Sequence, residues 1–578
     1  MARHNHFPIV INSIIAALFF TLHCIGCTNA KHAVEEPSIA DGKGQWQLLL
    51  DNTEVVAMHM ALTHRNTVLI FDQTEAGPSG HQLRRRYHGT RCTQMRKDVE
   101  DSACYAHSVE YDIASNKLRP LTLTTDTWCS SGSFLSNGTL LQTGGHGRGG
   151  QRVRYFSPCG GNDHCDWRES KQSLTNDRWF SSSLRLPEED WVIVVGGRKV
   201  FTYEFIPKQY SNYEGSFDFP FLRNTYQEGE GGNNLYPFLH ICPNGRLFIF
   251  ANRDSILFNY RANVVVKYFP RIPGEGSRNF PSSGSSVILP LDYTNGFEKA
   301  EVMVCGGAAN GAYRAAREGR YLKALSSCGR MMITGNKHKW NMEYMPGPRL
   351  LSDMLLLPTG DVLIINGAKN GAAGWNNARN ASLEPYLYHP RKALSRRFSV
   401  LKATRIPRMY HSSAALLPDG RVLVAGSNPH DRYIFEKVAY PTELSLQAFV
   451  PPYMVGQHHQ SRPTNVTVHY GKYDSNGVRY GGEFNVRFWL GTNSTKSVEF
   501  TAYAPPFTSH SISMNQRLLR LRCKSLVRDQ DGWVAAVLEA PPSPSVAPAG
   551  YYMLTVVNGG IPSVSQWMRI LNTSGNAS

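Results

Sequence analysis

The sequence predicts an all-β protein: a seven-bladed, kelch-like β-propeller followed by a C-terminal β-sandwich of immunoglobulin type. Three observations predict it. A four-residue run of mostly β-branched or large apolar residues recurs seven times, and each copy is too short and too β-branched for a helix. After the first gap the copies repeat at about 50–60 residues, the period of a kelch-like blade. The rhythm stops near Asn428, and beyond about Glu443 the strands lengthen and alternate.

In chain order, residues 1–30 read as a secretory signal. Arg3 precedes an apolar run from Phe7 to Phe20, and Thr28-Asn29-Ala30 offers small residues for cleavage. Residues 31–442 are expected to form the propeller, with Trp46-Gln47-Leu48-Leu49-Leu50 as a strand closing its last blade. The seven runs are Val68 to Phe71, Leu140 to Thr143, Val192 to Val195, Leu247 to Phe250, Val302 to Cys305, Val362 to Ile365 and Val422 to Ala425. Asn137-Gly138, Asn244-Gly245 and Asp419-Gly420 are hairpin signals. The pairs Gly144-Gly145, Gly196-Gly197 and Gly306-Gly307 are expected to let inner strands crowd near an axis. Residues 443–573 are expected to form the sandwich, from strands at 464–470, 483–489, 533–538 and 551–557.

The net charge of +16 is spread along 578 residues. No block of Lys or Arg interleaves with aromatic residues, so a nucleic-acid groove is not expected. An acidic polysaccharide is the partner such a surface would favour. The glycine-rich stretches at 144–150 and 229–232 lack the flanking strand, helix and Lys-Ser/Thr of a phosphate loop and read as propeller loops.

Signal removal would take Cys24 and Cys27 and leave nine of eleven cysteines. Close spacing suggests the pairs Cys92–Cys104, Cys159–Cys165 and Cys305–Cys328, leaving Cys129, Cys242 and Cys523. Glycosylation acceptors begin at Asn137, Asn380, Asn465, Asn493, Asn572 and Asn576, in keeping with an extracellular, monomeric glycoprotein of the cell wall or its surroundings.

The candidate chemistry is Tyr410 and His411, side by side, with His510 and an isolated Cys129. On a regular strand, adjacent side chains point to opposite faces, so Tyr410 and His411 share a centre only if the backbone is irregular there. Taken singly, each of these residues is more often a satisfied core group than a ligand.

Together with their surroundings they carry a resemblance. The stretches Asp126 to Gly132, Asn234-Leu235-Tyr236-Pro237, Arg408-Met409-Tyr410-His411-Ser412, Gly426 to His430, His510-Ser511 and Pro548 to Met553 resemble those of the copper radical oxidases, the glyoxal oxidase and galactose oxidase family, and most of all the plant glyoxal-oxidase-like proteins. The resemblance runs from about Gly44 to Leu571. It implies a propeller of glyoxal-oxidase N-terminal type, an early-set sandwich and one copper ion on the propeller axis. It also implies Tyr410 as axial ligand and proton acceptor and His411 and His510 as imidazole ligands, with His510 delivered by a loop of the C-terminal domain.

Enzymes of this family also hold a tyrosine joined through its ring carbon to a cysteine sulfur, the store of a second oxidising equivalent. Cys129 matches the cysteine, but Phe180, in Arg178-Trp179-Phe180-Ser181, stands where the tyrosine is expected. The Cys–Tyr thioether is therefore expected to be absent, and neither Tyr155 nor Tyr203 is expected to replace it. Two functions compete: an oxidase converting a small aldehyde or a carbohydrate to the acid with O2 and releasing H2O2, or an impaired family member that binds glycans or wall polymers. A kelch-type protein-docking scaffold is disfavoured by the secretory signal.

Overall fold

A computed structural model describes residues 42–83, 86–87, 90–91, 104–160, 165–208, 215–456, 461–471, 476–491 and 497–572. The signal-like segment, Cys92, Asn493 and Asn576 lie outside the described residues.

Seven four-stranded antiparallel blades are arranged around one axis; six are separate sheets, and the first is extended to six strands by a hairpin from the C-terminal region. Counting from the axis outward, the second strand of every blade is one of the seven apolar runs: Thr67–Phe71, Leu140–Thr143, Val192–Val195, Leu247–Ala251, Glu301–Cys305, Val362–Ile365 and Val422–Gly426. These strands are packed on both faces, which is why they read as continuous apolar runs. The seventh blade closes with a strand from the chain's start: Gln45–Leu50 pairs antiparallel with Leu446–Val450. Leu446–Val450 follows residue 443, where the sequence texture changes, yet it hydrogen-bonds to Val422–Gly426 inside the propeller.

The innermost strands are His59–Leu62, Ser131–Phe134, Ser182–Arg185, Phe238–Ile241, Ser285–Ile288, Asp353–Leu356 and Ser412–Leu416. Several are rich in serine, and near the axis these hydroxyls satisfy one another. Ser131 Oγ lies 2.7 Å from Ser183 Oγ and 2.9 Å from Thr143 Oγ1. The glycine pairs serve a different contact from the one expected. A Cβ on Gly144 would meet the Arg178 carbonyl, and one on Gly145 the Asp126 carbonyl. They follow the second strands and make room for the loops entering their own blade and the next, so the crowding is strand against loop.

The C-terminal strands form an early-set sandwich in which the long strand Arg517–Arg528 runs between Val498–Ala504 and Trp533–Glu539. Its chain also sends a hairpin, Phe507–Ser509 and Ile512–Met514, down the propeller axis. Phe507–Ser509 pairs with the innermost strand of the first blade, and the hairpin packs against the inner strand of every blade. A Cβ on Gly132 would run into the Phe507 ring, so that inner strand needs glycine where the hairpin passes. Asn515 bonds to Gly132 and Ser183 carbonyls, and Gln516 to Met354 and Leu356. Disulfides join Cys159 to Cys165 and Cys305 to Cys328, and Cys104 is also disulfide-bonded. Cys129, Cys242 and Cys523 are free. No helix among the described residues is long and apolar enough to cross a membrane.

Candidate metal centre

One backbone device builds the centre. Just before each of six inner strands a residue adopts left-handed φ: Cys129 (54°), Phe180 (65°), Tyr236 (49°), Ser283 (45°), Leu351 (58°) and His411 (62°). Such a conformation costs an L-residue roughly 1–2 kcal/mol, and it recurs here because the loops interlock. The Phe180 amide donates to the Cys129 carbonyl at 3.0 Å, and the Tyr236 amide to the Phe180 carbonyl at 2.9 Å. The left-handed residue turns its side chain inward, so several blades place one group each around the axis. This is the irregularity that Tyr410 and His411 require. Their rings stack with centroids 3.8 Å apart, and the turn is tied by Ser412 Oγ donating to the Met409 carbonyl at 2.7 Å.

A buried arginine anchors each of several such turns, a feature the sequence reading missed. Arg178 bonds to Glu204 and to the Gly196 and Thr202 carbonyls. Arg278 bonds to the Gly306 and Ser327 carbonyls, and Arg408 to those of Gly426 and Ser445. The signal was present as Arg178-Trp179-Phe180-Ser181, Arg349-Leu350-Leu351-Ser352 and Arg408-Met409-Tyr410-His411-Ser412.

The tip of the axial hairpin presents His510, itself left-handed at φ 50°. Its Nε2 lies 3.2 Å from Cys129 Sγ. On the other side of the ring, Nδ1 meets Ser509 Oγ at 2.6 Å and the Tyr236 hydroxyl at 3.4 Å. With the proton on Nδ1, the Nε2 lone pair would be directed toward the cysteine, the usual arrangement for an imidazole that ligates a metal. His411 is more telling: both ring nitrogens are buried without a partner. One ligand atom each from Cys129, His411 and His510 lies within 4.8 Å of the others. Burial holds both imidazoles far below their ordinary pKa, so they are neutral and able to ligate. Burial also raises the Cys129 thiol and the Tyr410 phenol, which face one another.

The structure therefore brings together all five candidates: Cys129, Phe180, Tyr410, His411 and His510. The Phe180 ring packs at 4.4 Å from Phe280 and edge-on to His510 at 6.0 Å. The Tyr203 hydroxyl is engaged elsewhere, donating to Asn263 at 2.8 Å. Two residues near the centre were not singled out from sequence. Tyr236 is one; its hydroxyl donates to the Ser130 carbonyl at 3.1 Å, on the Nδ1 side of His510. His59 is the other, with Nε2 on the Thr127 carbonyl at 2.9 Å and Nδ1 unpartnered. Tyr236 stood in a quoted motif without a role, and His59 is a lone histidine whose place is set only by the closure of the propeller.

A cleft of about 970 Å³, open solvent included, leads from Phe180 and Tyr410 outward. Its walls carry Trp128, Trp179, Trp375 and Tyr313, with Arg198 and Arg317 and no acidic side chain. Trp128 and Trp375 stack at 5.2 Å, and the Arg198 guanidinium lies 4.9 Å over Trp179.

A profile described as "Glyoxal oxidase N-terminus" matches residues 58–453, and one described as "Galactose oxidase-like, Early set domain" matches residues 462–570. The chain is 42% identical over 536 residues to an aldehyde oxidase (GLOX) of Vitis pseudoreticulata, covering 92% of this chain and 98% of that protein. It is 42% identical over 537 residues to the Arabidopsis thaliana aldehyde oxidase GLOX1, covering 91% and 85% respectively. A fungal alcohol oxidase solved in complex with copper shares the fold with TM-score 0.68 at 16% identity, covering 92% of this chain and 100% of that one. With profiles spanning both regions and such relatives over nearly its whole length, the chain belongs to the copper radical oxidases, the glyoxal oxidase and galactose oxidase family.

Proposed function

We propose that this is a secreted, copper-binding member of the family in which oxidase turnover is impaired. The observation that carries the proposal is Phe180, whose amide bonds to the Cys129 carbonyl and whose ring stands edge-on to His510, and which brings no phenol. The donor set fits copper: two neutral imidazoles, one of them with no other partner, and a phenol oxygen at Tyr410. A copper ion held by His411, His510 and Tyr410 would supply a one-electron redox couple. What the chain itself lacks is a second, protein-based store of oxidising equivalents. Without it, the two-electron conversion of an aldehyde to an acid with O2 and H2O2 release has no partner for the metal. Cys129 forms no thioether in this reading, and Tyr410 remains the proton acceptor beside the cleft. Exposure of Asn137, Asn380 and Asn465 agrees with glycosylation in the secretory route.

A second reading concerns what enters the cleft. Aromatic faces at Trp128, Trp179 and Trp375, with Arg198 and Arg317 and no acid, favour a sugar ring bearing a carboxylate, as in an acidic wall polysaccharide. Metal analysis of the secreted protein, followed by H2O2 measurement over aldehydes and alcohols, tests the proposal. Stoichiometric copper with H2O2 release far below that of the aldehyde oxidase relatives is expected. Vigorous release would overturn it.

A further inference from the structure

Replacing the tyrosine at position 180 does more than delete an oxygen, because it leaves a sulfur uncommitted. Cys129 Sγ lies 3.2 Å from His510 Nε2. Two neighbouring ligands of one first-row ion, with metal–nitrogen and metal–sulfur lengths of roughly 2.0 and 2.3 Å in tetrahedral geometry, stand about 3.5 Å apart. The observed spacing is near that of ligands to a common ion. His411, buried with both ring nitrogens unpartnered, supplies the third corner within 4.8 Å. Ser509 Oγ is placed to accept the His510 Nδ1 proton, the tautomer that leaves Nε2 free for the ion. Phe180, Phe280 and Trp179 pack beside these groups and keep the sulfur dry. The other free cysteines are not members of this cluster.

We infer that Cys129 is a direct ligand of the metal, so that the centre is a Cys129–His411–His510 copper–thiolate site with Tyr410 as a weaker oxygen donor. The inference rests on the reading that copper occupies this centre. On binding Cu(II), the Cys129 thiol gives its proton to solvent and its sulfur forms the bond; the copper oxidation state does not change. A His2Cys set in an apolar shell is the ligand pattern of one-electron transfer sites. A one-electron donor or acceptor is therefore the chemical class of partner such a site would serve, in place of a two-electron aldehyde substrate.

The test uses the full-length secreted protein, stripped of metal and reloaded with one equivalent of Cu(II). An intense visible sulfur-to-copper charge-transfer band is expected. Cys129→Ser should lower it at least about tenfold and weaken copper affinity by about tenfold or more. Phe180→Tyr, which offers the sulfur a ring to bond, should also abolish the band. Cobalt(II) loading should give a thiolate band that Cys129→Ser removes, which covers the case of copper reduction during loading. Bound copper with a spectrum unchanged by Cys129→Ser overturns the thiolate assignment and leaves the copper reading standing. Failure of the wild type to bind copper overturns both.

Discussion

The amide of Phe180 donates to the carbonyl of Cys129 at 3.0 Å, with both residues in the left-handed region. Two neighbouring blades thus fix these positions in one register, independently of what side chain stands at 180. A tyrosine introduced there would hold its ring beside Cys129 without rebuilding the loop.

Phe180→Tyr should accordingly create or raise oxidase activity. The added hydroxyl would find a bound metal ion as its partner and so avoid the penalty of a buried, unsatisfied polar group, which is about 1–3 kcal/mol. Intact mass should fall by two hydrogens when the Cys129 thioether forms, and a ligand-radical signal should accompany copper and O2. H2O2 release with small aldehydes should rise well above wild type. A variant that forms the thioether and radical but oxidises nothing would mean that the cleft has changed its substrate.

Copper affinity should depend on both histidines and on what orients them. His411→Ala and His510→Ala should each abolish stoichiometric binding. Ser509→Ala, which removes the 2.6 Å contact to His510 Nδ1, should weaken binding by about 10- to 100-fold while leaving the fold intact. Copper titration with thermal denaturation as the folding control measures both. Copper content indifferent to both histidine substitutions would reject the site.

Arg178→Met should be among the more destabilising single changes. Arg178 and Glu204 are fully buried and 2.8 Å apart. Loss of the guanidinium leaves Glu204 with only Lys208, at 3.4 Å, as a cationic partner. A cost of about 3 kcal/mol is expected, near the lower end for breaking a buried pair. Chemical denaturation reads it, and Arg178→Met with Glu204→Leu should recover much of the loss. Equal stability of the single and double variants would show that the charge left behind is not the cause.

Asp353 should contribute stability that is lost as pH rises from about 4 to about 8, against the opposite trend of the buried histidines His59 and His240, whose pKa burial lowers to about 3. Burial pushes its carboxyl up from 3.8 to about 7, against the Asn366 amide at 2.9 Å. A folded pKa above the unfolded one means the folded state holds the proton more tightly. That stabilisation is complete below the unfolded value and is lost as pH passes through the folded value. Asp72, raised to about 7, and Asp126, to about 6, act in the same sense. Asp353→Asn should therefore shift the stability change between about pH 4 and about pH 8 in favour of the folded state, relative to wild type, by on the order of 1–3 kcal/mol. Denaturation midpoints of wild type and variant at both ends check it; an identical pH dependence of the two would reject the role of Asp353.

By itself the sequence determined the blade count and the identity of the ligand candidates. A second strand packed on both faces must be apolar at every position, so Val192–Val195 and Val362–Ile365 announce themselves. The neighbourhood of Cys129, Phe180, Tyr410, His411 and His510 in their motifs was equally legible, because each turn there needs particular residues. The closing strand at Gln45–Leu50 could be named from its apolar run, although as a blade strand paired only to Leu446–Val450 it stays half-exposed. The convergence of these groups belonged to the tertiary structure. Cys129 and His510 are 381 positions apart and meet because a hairpin of the C-terminal domain runs down the axis. His411 faces inward because of a left-handed φ, and Tyr236 reaches the site from a neighbouring blade. The roles of Tyr236, His59 and Ser509 were hidden for one physical reason. A side chain's partners are fixed by which loops close on the axis together, and that closure pairs residues across blades whose spacing along the chain carries no periodic signal.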